Sequence, residues 1–143
     1  MRCWHKVLIP FLPRQQLLGQ WRECCLIARS IAEKGTPNHI LVNRIMDYPI
    51  DQFKAFCDLV CIEMEIRGYR CDFSRLERWM YKIQPEFDFI TDEEIFPDWH
   101  NGIYLRQCLY NLEEKAICGG ISAEEWDRIY NKFKDFTPLW KEG

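Results

Sequence analysis

Long apolar runs are missing from this 143-residue sequence, and the longest falls far short of the roughly 18 residues that a membrane-spanning helix needs. Glycine and proline number seven each, too few for a collagen-like or low-complexity chain. The charged and aromatic start MRCWHK, followed by Pro10 and Pro13, shows no signal or transit peptide. With 48% hydrophobic residues, we expect one compact cytoplasmic domain that spans residues 1–143.

An excess of positive charge is absent as well. Nineteen Lys and Arg residues stand against 22 Asp and Glu residues, which gives a net charge of −3 and a pI near 5.6. Proteins that coat nucleic acid without sequence preference are basic, so the composition argues against that class. Any DNA-binding site in this chain must therefore be a local patch of basic side chains.

Metal-ligand spacing and phosphate-binding loops are also missing. The eight cysteines contain no C-x-x-C pair, and His5, His39 and His100 are far apart in the sequence. No glycine-rich phosphate-binding motif is present either, so we expect neither a metal nor a cofactor. Because no export signal accompanies the cysteines, we interpret them as reduced core or surface thiols.

A helical period is the main pattern that the sequence does show. Apolar residues recur every three to four positions in 13–34, 51–67 and 99–118, and a glycine follows each stretch as a stop signal. No segment shows sustained alternation with period two. These three stretches predict the long helices of an all-α fold.

Shorter helices are predicted from capping patterns. Capping boxes of the S/T-x-x-E type begin at Ser74, Thr91 and Ser122, and each can satisfy the free amides at a helix start. A last helix is expected over 123–134. The fold class is therefore a single all-α domain of three long helices plus short helices.

The first helix has a polar face that carries the densest cluster of candidate chemistry. At about 100° per residue, Leu17, Trp21 and Cys24 fall on one side and predict a core contact. Arg22 and Glu23 lie on the opposite face, where a carboxylate beside a guanidinium can serve a reaction. An ordinary surface ion pair is the alternative interpretation of these two residues.

Four short stretches carry a family resemblance through their order and spacing. They are QQLLGQWRE at 15–23, MEIRGY at 64–69, LEEKA at 112–116 and TPLWK at 137–141. In this order they resemble the first helix, the end of the second long helix, the last helix and the aromatic tail of the pyrimidine-dimer DNA glycosylases of the phage endonuclease V type. Together they cover nearly the whole chain.

The resemblance implies a small all-α enzyme that cleaves a glycosidic bond at a pyrimidine dimer in duplex DNA and then nicks the abasic strand, without a cofactor. In this family the N-terminal α-amine attacks the sugar C1′ and forms a Schiff base. The matching catalytic residues here are Met1 and Glu23, with Glu23 stabilising the cationic sugar and assisting proton transfer. An α-amino group titrates near about 7.7–8.0, so a useful fraction is neutral at pH 7.

The sequence departs from the family pattern at its start. Arg2 is too large for the usual removal of an initiator methionine, so the amine is expected on Met1, one residue further from Glu23 than in the better-known members. Gln16 stands where the pattern has a histidine, and Leu26 where it has an arginine. Fewer phosphate contacts predict weaker and less salt-sensitive DNA binding.

Candidate DNA contacts are spread along the chain. Arg22 and Arg29 are seven residues apart on the first helix and hence on one side of it, and Lys115 lies in the stretch similar to the family's last helix. We expect these residues and Arg2 to form one basic surface for damaged duplex DNA, with Trp140 stacking on a base. The expected state is a monomer.

A second class of function remains open at this stage. The alternative is a catalytically inactive helical module of the same fold that binds nucleic acid or a protein. The acidic pI favours this module, whereas the Arg22-Glu23 pair opposite the core stripe favours the enzyme. His5 and His100 are further acid–base candidates, for which packing or capping is the simpler interpretation.

Overall fold

A computed structural model describes residues 1–136 of the chain. Its α-helices are α1 (Arg14–Lys34), α2 (Ile50–Ile66), α3 (Phe73–Ile83), α4 (Gly102–Ile117) and α5 (Ala123–Phe133). Short 3-10 helices cover Lys6–Phe11, Asn43–Asp47, Asp92–Glu94 and Lys134–Phe136. Every regular element within residues 1–136 is helical, and α1, α2 and α4 are the three longest. The predicted all-α fold class is confirmed.

Helix α1 is the central element and follows its predicted boundaries closely. Leu17, Trp21 and Cys24 are buried, as the helical period predicts, while Leu26 on the opposite face is 47% exposed. Gly35 ends the helix at φ 78°, a left-handed conformation that residues with a side chain rarely adopt. The polar face of α1 is therefore available along most of the helix.

Helices α2 and α3 pack on α1 and complete the core beneath it. Phe53 and Phe56 of α2 are fully buried, and α3 contributes Leu76 and Met80. Full burial of such side chains stabilises the fold by about 1.5–3 kcal/mol each. Because α2 and α3 both pack against the apolar side of α1, the polar face of α1 has a fixed position relative to these two helices.

The helix starts show where capping patterns predict correctly and where they fail. Both Thr91 and Ser122 form the predicted capping boxes. The prediction at Ser74 is wrong, because the cap is Asp72, two residues earlier, and α3 begins at Phe73. Asp72 accepts from the Arg75 N–H, and the Ser74 hydroxyl donates to the same Asp72 oxygen. An aspartate and a serine two residues apart compete for one cap, and the charged acceptor holds the start.

The region before α4 also differs from the sequence prediction. The helix begins at Gly102 rather than near Trp99, because the Asn101 side chain accepts from the Tyr104 N–H and caps it there. Trp99 and His100 consequently lie in the preceding turn, where both are buried. None of the helices in residues 1–136 offers a stretch long and apolar enough to cross a lipid bilayer.

Candidate active site at the chain terminus

The N-terminal segment, residues 1–5, lies against α1, and its contacts bring the chain terminus to Glu23. The Met1 amine nitrogen is 3.9 Å from Glu23 Oε1. The backbone N–H of Arg2 donates to the other carboxylate oxygen, Glu23 Oε2, over 3.0 Å. Glu23 is half-buried and Met1 is exposed. The carboxylate therefore lies within one-water reach of the amine, the range that assisted proton transfer requires.

Gln20, one turn before Glu23 on α1, fixes the same segment by two hydrogen bonds. Its Oε1 accepts from the Trp4 N–H at 2.8 Å, and its Nε2 donates to the Arg2 carbonyl at 2.9 Å. The residue is only 1% exposed, so its amide has no competing contact with bulk water. Buried donors and acceptors are costly to leave unpaired, and Gln20 therefore holds the backbone of the N-terminal segment to α1.

The opposite side of the segment is held by residues of α4 and the turn before it. The Tyr104 hydroxyl donates to the Cys3 carbonyl over 2.6 Å, and His100 Nδ1 accepts from the Lys6 N–H at 3.0 Å. Burial raises the pKa of Tyr104, so its hydroxyl stays protonated and remains a donor. We refer to the side chains that bond the backbone of residues 2–6 as the N-terminal clamp: Glu23, Gln20, Tyr104 and His100.

Two stacked histidines pack behind the clamp. The His5 and His100 rings lie 5.0 Å apart between centroids. Burial lowers the pKa of His5 to about 4. It lowers that of His100 to about 2, with the charges of His5, Lys6 and Arg44 acting in the same direction. Both imidazoles are therefore neutral at pH 7, which favours the packing interpretation of these residues over an acid–base role.

The tautomer of His100 follows from its contacts. Because Nδ1 accepts the Lys6 N–H, the proton of the neutral ring is on Nε2, which is buried without a hydrogen-bond partner. Phe56, Phe96 and Trp99 surround this ring with centroids 5.0–5.9 Å away. The hydrogen bond at Nδ1 and the packing of these three rings hold the imidazole in one orientation.

The other predicted site residues have separate surroundings. A terminal nitrogen of Arg22 lies 3.7 Å from the point where Gly19 would carry a Cβ, so this side chain lies over Gly19 on the exposed face of α1. Arg29 is hydrogen-bonded to Glu33, and Lys115 is exposed in the last turn of α4. Within residues 1–136, no hydrogen bond or ion pair joins Lys115 to the amine and carboxylate. Trp140 lies outside the described residues.

Arg2 is partly buried rather than fully presented to solvent. Its guanidinium carbon lies 5.3 Å from the centre of the Trp4 ring. Its positive charge also opposes the rise that burial causes in the pKa of the Cys108 thiol of α4. A cation over an aromatic face contributes about 0.5–1 kcal/mol at exposed sites. Arg2 thus anchors the N-terminal segment through its side chain as well as its backbone.

The described part of the chain contains no set of side chains that could bind a metal ion. No group of three or more His, Cys, Asp or Glu side chains that could hold an ion occurs within residues 1–136. An open apolar groove of about 350 Å³ lies between the Lys6–Phe11 helix and α2, lined by Val7, Ile62 and Ile66 among others. Neither Met1 nor Glu23 lines that groove.

Sequence reasoning missed Gln20 and Tyr104 as site residues. A signal for Gln20 was present, because at about 100° per residue it falls roughly 60° from Leu17, inside the apolar arc of α1. A polar side chain at a core position requires a buried partner. Tyr104 gave no such signal, since its partner, Cys3, is 101 residues away in the sequence.

Comparison with known proteins adds one finding. The family model described as pyrimidine dimer DNA glycosylase matches residues 1–76, which include the N-terminal segment, α1 and α2. The match thus covers Met1, Gln20 and Glu23, but not Tyr104 or His100. Neither the curated proteins nor the solved structures gave a match to this chain.

Proposed function

The chain belongs to the pyrimidine dimer DNA glycosylase family, and from this premise we propose that it cleaves a glycosidic bond at a pyrimidine dimer in duplex DNA and then nicks the strand as an abasic-site lyase. The nucleophile is the α-amine of Met1. Glu23 is the acid–base and electrostatic partner, and Arg22 contacts phosphate or the displaced nucleotide. No cofactor takes part in the proposed reaction.

The first step breaks the bond between the base and the sugar. The neutral Met1 amine gives its electron pair to C1′, and the base leaves with the electrons of the glycosidic bond and takes up a proton. The new C1′–N bond leaves a positive nitrogen, which loses a proton to Glu23. The C1′–O4′ bond then opens, Glu23 returns this proton to O4′ and becomes a carboxylate again, and a protonated Schiff base remains between Met1 and the open sugar.

The second step breaks the strand. Loss of a proton from C2′ supplies the electrons that expel the 3′ phosphate, and the protonated Schiff base accepts the negative charge that develops during this loss. Water then hydrolyses the Schiff base and returns the free amine. The Glu23 carboxylate is close enough to stabilise each cationic intermediate, because charges near 4 Å interact strongly in a partly buried site.

One observation carries the proposal: the Met1 amine is 3.9 Å from Glu23 while the residues behind it are held by hydrogen bonds. An ion pair alone occurs on many protein surfaces. A terminal segment held through the Arg2 and Trp4 amides and the Arg2 and Cys3 carbonyls is unusual, because chain ends are commonly poorly ordered. This order supports a nucleophile that is positioned before DNA binds.

The test is trapping of the Schiff base. The protein is incubated with a duplex that contains either a pyrimidine dimer or an abasic site, and borohydride is added to reduce the Schiff base to a stable amine. A covalent adduct that maps to Met1 is expected. Lys6→Arg is the matched control, because it removes the nearest lysine amine in the sequence and should leave the adduct in place.

The outcomes separate the proposed enzyme from the inactive helical module. An adduct on Lys6, or an adduct lost in Lys6→Arg, would move the nucleophile away from the terminus. No adduct with either duplex would refute the enzyme. Duplex binding without an adduct would then favour the binding module.

A further inference from the structure

Helix α3 carries a row of positive charge that the proposed reaction does not use. Arg75, Arg78 and Lys82 are all exposed and fall within an arc of about 60° when the helix is viewed down its axis. This arc is opposite the buried side of α3, which is formed by Leu76 and Met80. We refer to Arg75, Arg78 and Lys82 as the α3 cationic face.

Trp79 connects this face to α1. The Lys82 ammonium lies 4.7 Å from the Trp79 ring centre, and the guanidinium carbon of Arg29 on α1 lies 5.5 Å from the same ring. One half-buried ring thus holds a cation from each helix. Arg22 lies two turns earlier on α1, about 10 Å from Arg29 along the helix axis. The positive row therefore continues from α3 onto the helix that carries Glu23.

Few carboxylates offset the row. Glu33 is hydrogen-bonded to Arg29 at 3.2 Å. Asp72, the helix cap, places one negative charge beside Arg75 and Arg78, since its hydrogen bonds to Ser74 and the Arg75 N–H, with these arginines, lower its pKa and keep it ionised. Glu77 lies on another side of α3, where its charge contributes to raising the pKa of Asp58 of α2. The face is consequently a local excess of positive charge on a chain whose net charge is −3.

We propose that the α3 cationic face binds the phosphate backbone of duplex DNA beside the lesion. The inference rests on the proposed function and adds a contact surface to it. Arg75 and Lys82 are about 10 Å apart along the helix, close to three base-pair steps at about 3.4 Å each. On α1 the exposed face runs from Glu23, next to the amine, through Leu26 to Arg29 beside Trp79. DNA that lies across the exposed face of α1 places the lesion at Glu23 and the duplex beside the lesion on the α3 cationic face.

The same geometry accounts for a departure of the sequence from its family. Leu26 stands at the middle of the exposed face of α1, where the family pattern has an arginine, and it offers phosphate no charge. The neighbouring α3 supplies three cations at the edge of that face. A chain with an acidic total can bind phosphate in this way, because only charges within about one Debye length, roughly 8 Å, act strongly on it.

Salt-dependent binding to an undamaged duplex tests the inference. The variant carries Arg75→Gln, Arg78→Gln and Lys82→Gln, since glutamine keeps the length and helix propensity of the side chains and removes their charge. Loss of three phosphate contacts should flatten the slope of log K against log salt concentration by up to about 2.7, or about 0.9 for each contact. Arg78→Gln alone should flatten it by about 0.9 and provides a second variant with minimal change to the fold.

The matched control removes the same charge from another place. Arg128→Gln, Lys132→Gln and Lys134→Gln on α5 and the following turn give an equal change in net charge. A slope that falls in the α3 variant and stays near the native value in the α5 variant supports the inference. Equal slopes in the two variants, or an unchanged slope in the α3 variant, overturn it.

Schiff-base trapping separates this inference from the proposed function. If the native chain forms the Met1 adduct and the α3 variant keeps the native salt slope, only the α3 contact is refuted. If the native chain neither binds duplex at low salt nor forms an adduct, both are refuted. If the inference holds, the α3 variant still forms the adduct at saturating DNA, but it requires a higher DNA concentration than the native chain to reach half of the maximal adduct yield.

Discussion

Gln20→Met is the sharpest perturbation of the N-terminal clamp. Methionine is unbranched, of similar length and a good helix former, so α1 and its packing are retained. The substitution removes two hydrogen bonds, of 2.8 and 2.9 Å, and leaves the Trp4 N–H and the Arg2 carbonyl without partners. An unpaired buried polar group costs about 1–3 kcal/mol, so with two such groups the free energy of unfolding should fall by about 2–6 kcal/mol.

Gln16→Met provides the matched control, one turn earlier on the same helix. Gln16 Oε1 is buried without a hydrogen-bond partner, so the same substitution removes no contact of that oxygen. Because the substitution removes a buried polar atom that has no partner, we expect the free energy of unfolding of this variant to equal or exceed the native value. Urea unfolding monitored by tryptophan fluorescence measures both variants.

The clamp also predicts a chemical effect that stability alone does not explain. If Gln20 holds the amine in place, Gln20→Met should slow Schiff-base trapping at least about tenfold under conditions in which the variant remains folded, because misplacement of a reacting group is costly. Gln16→Met should trap at the native rate. The reasoning is refuted if the two variants unfold within about 1 kcal/mol of each other, or if Gln20→Met traps as fast as the native chain.

Three further outcomes follow from the same site. Glu23→Gln keeps an acceptor for the Arg2 N–H but removes the charge, so strand cleavage should fall strongly. Duplex affinity, measured by titration, should stay equal or improve. Cleavage at the native rate would show that Glu23 is only a surface residue. Tyr104→Phe should lower the free energy of unfolding in urea by about 1–2 kcal/mol through loss of the 2.6 Å bond to Cys3, and an unchanged urea midpoint would argue against that bond. Burial lowers the pKa values of His5 and His100 below the ordinary 6.5, so the unfolded chain binds more protons than the folded chain below about pH 6.5. The free energy of unfolding should therefore fall by about 1–2 kcal/mol per histidine between pH 7 and 5. Equal urea midpoints at the two pH values would contradict this.

The fold was predictable because its signals are local. The period of 3.6 residues identifies the buried side of α1, and glycine marks the end of α1 at Gly35 and of α2 near Gly68, where φ is 82°. The error at Ser74 has a local cause as well, since Asp72 and Ser74 both suit a helix cap and sequence alone does not rank them. The positions of the helices are therefore set mainly by residues that are close together in the sequence.

The candidate site was only partly predictable because its contacts connect distant parts of the chain. Glu23 was identified from the polar face of α1 and the family resemblance, whereas Gln20 was missed although a polar residue in an apolar arc was visible in the sequence. The partners of Cys3 and Lys6 are 101 and 94 residues away, on α4 and in the turn before it. Periodicity describes one element at a time, so it places neither Tyr104 nor His100 at the terminus.

The clamp fixes the position of the Met1 amine through the backbone that follows it. Glu23 divides its two oxygens, with Oε2 accepting the Arg2 N–H at 3.0 Å and Oε1 facing the amine at 3.9 Å. The shorter contact is a hydrogen bond, whereas the longer one is beyond hydrogen-bond range. The position of the amine therefore depends on the hydrogen-bonded backbone that follows it rather than on a direct hydrogen bond to Glu23. The additional N-terminal residue expected from the sequence thus leaves the amine beside Glu23, because the clamp acts on residues 2–6 and Met1 is the first residue beyond it.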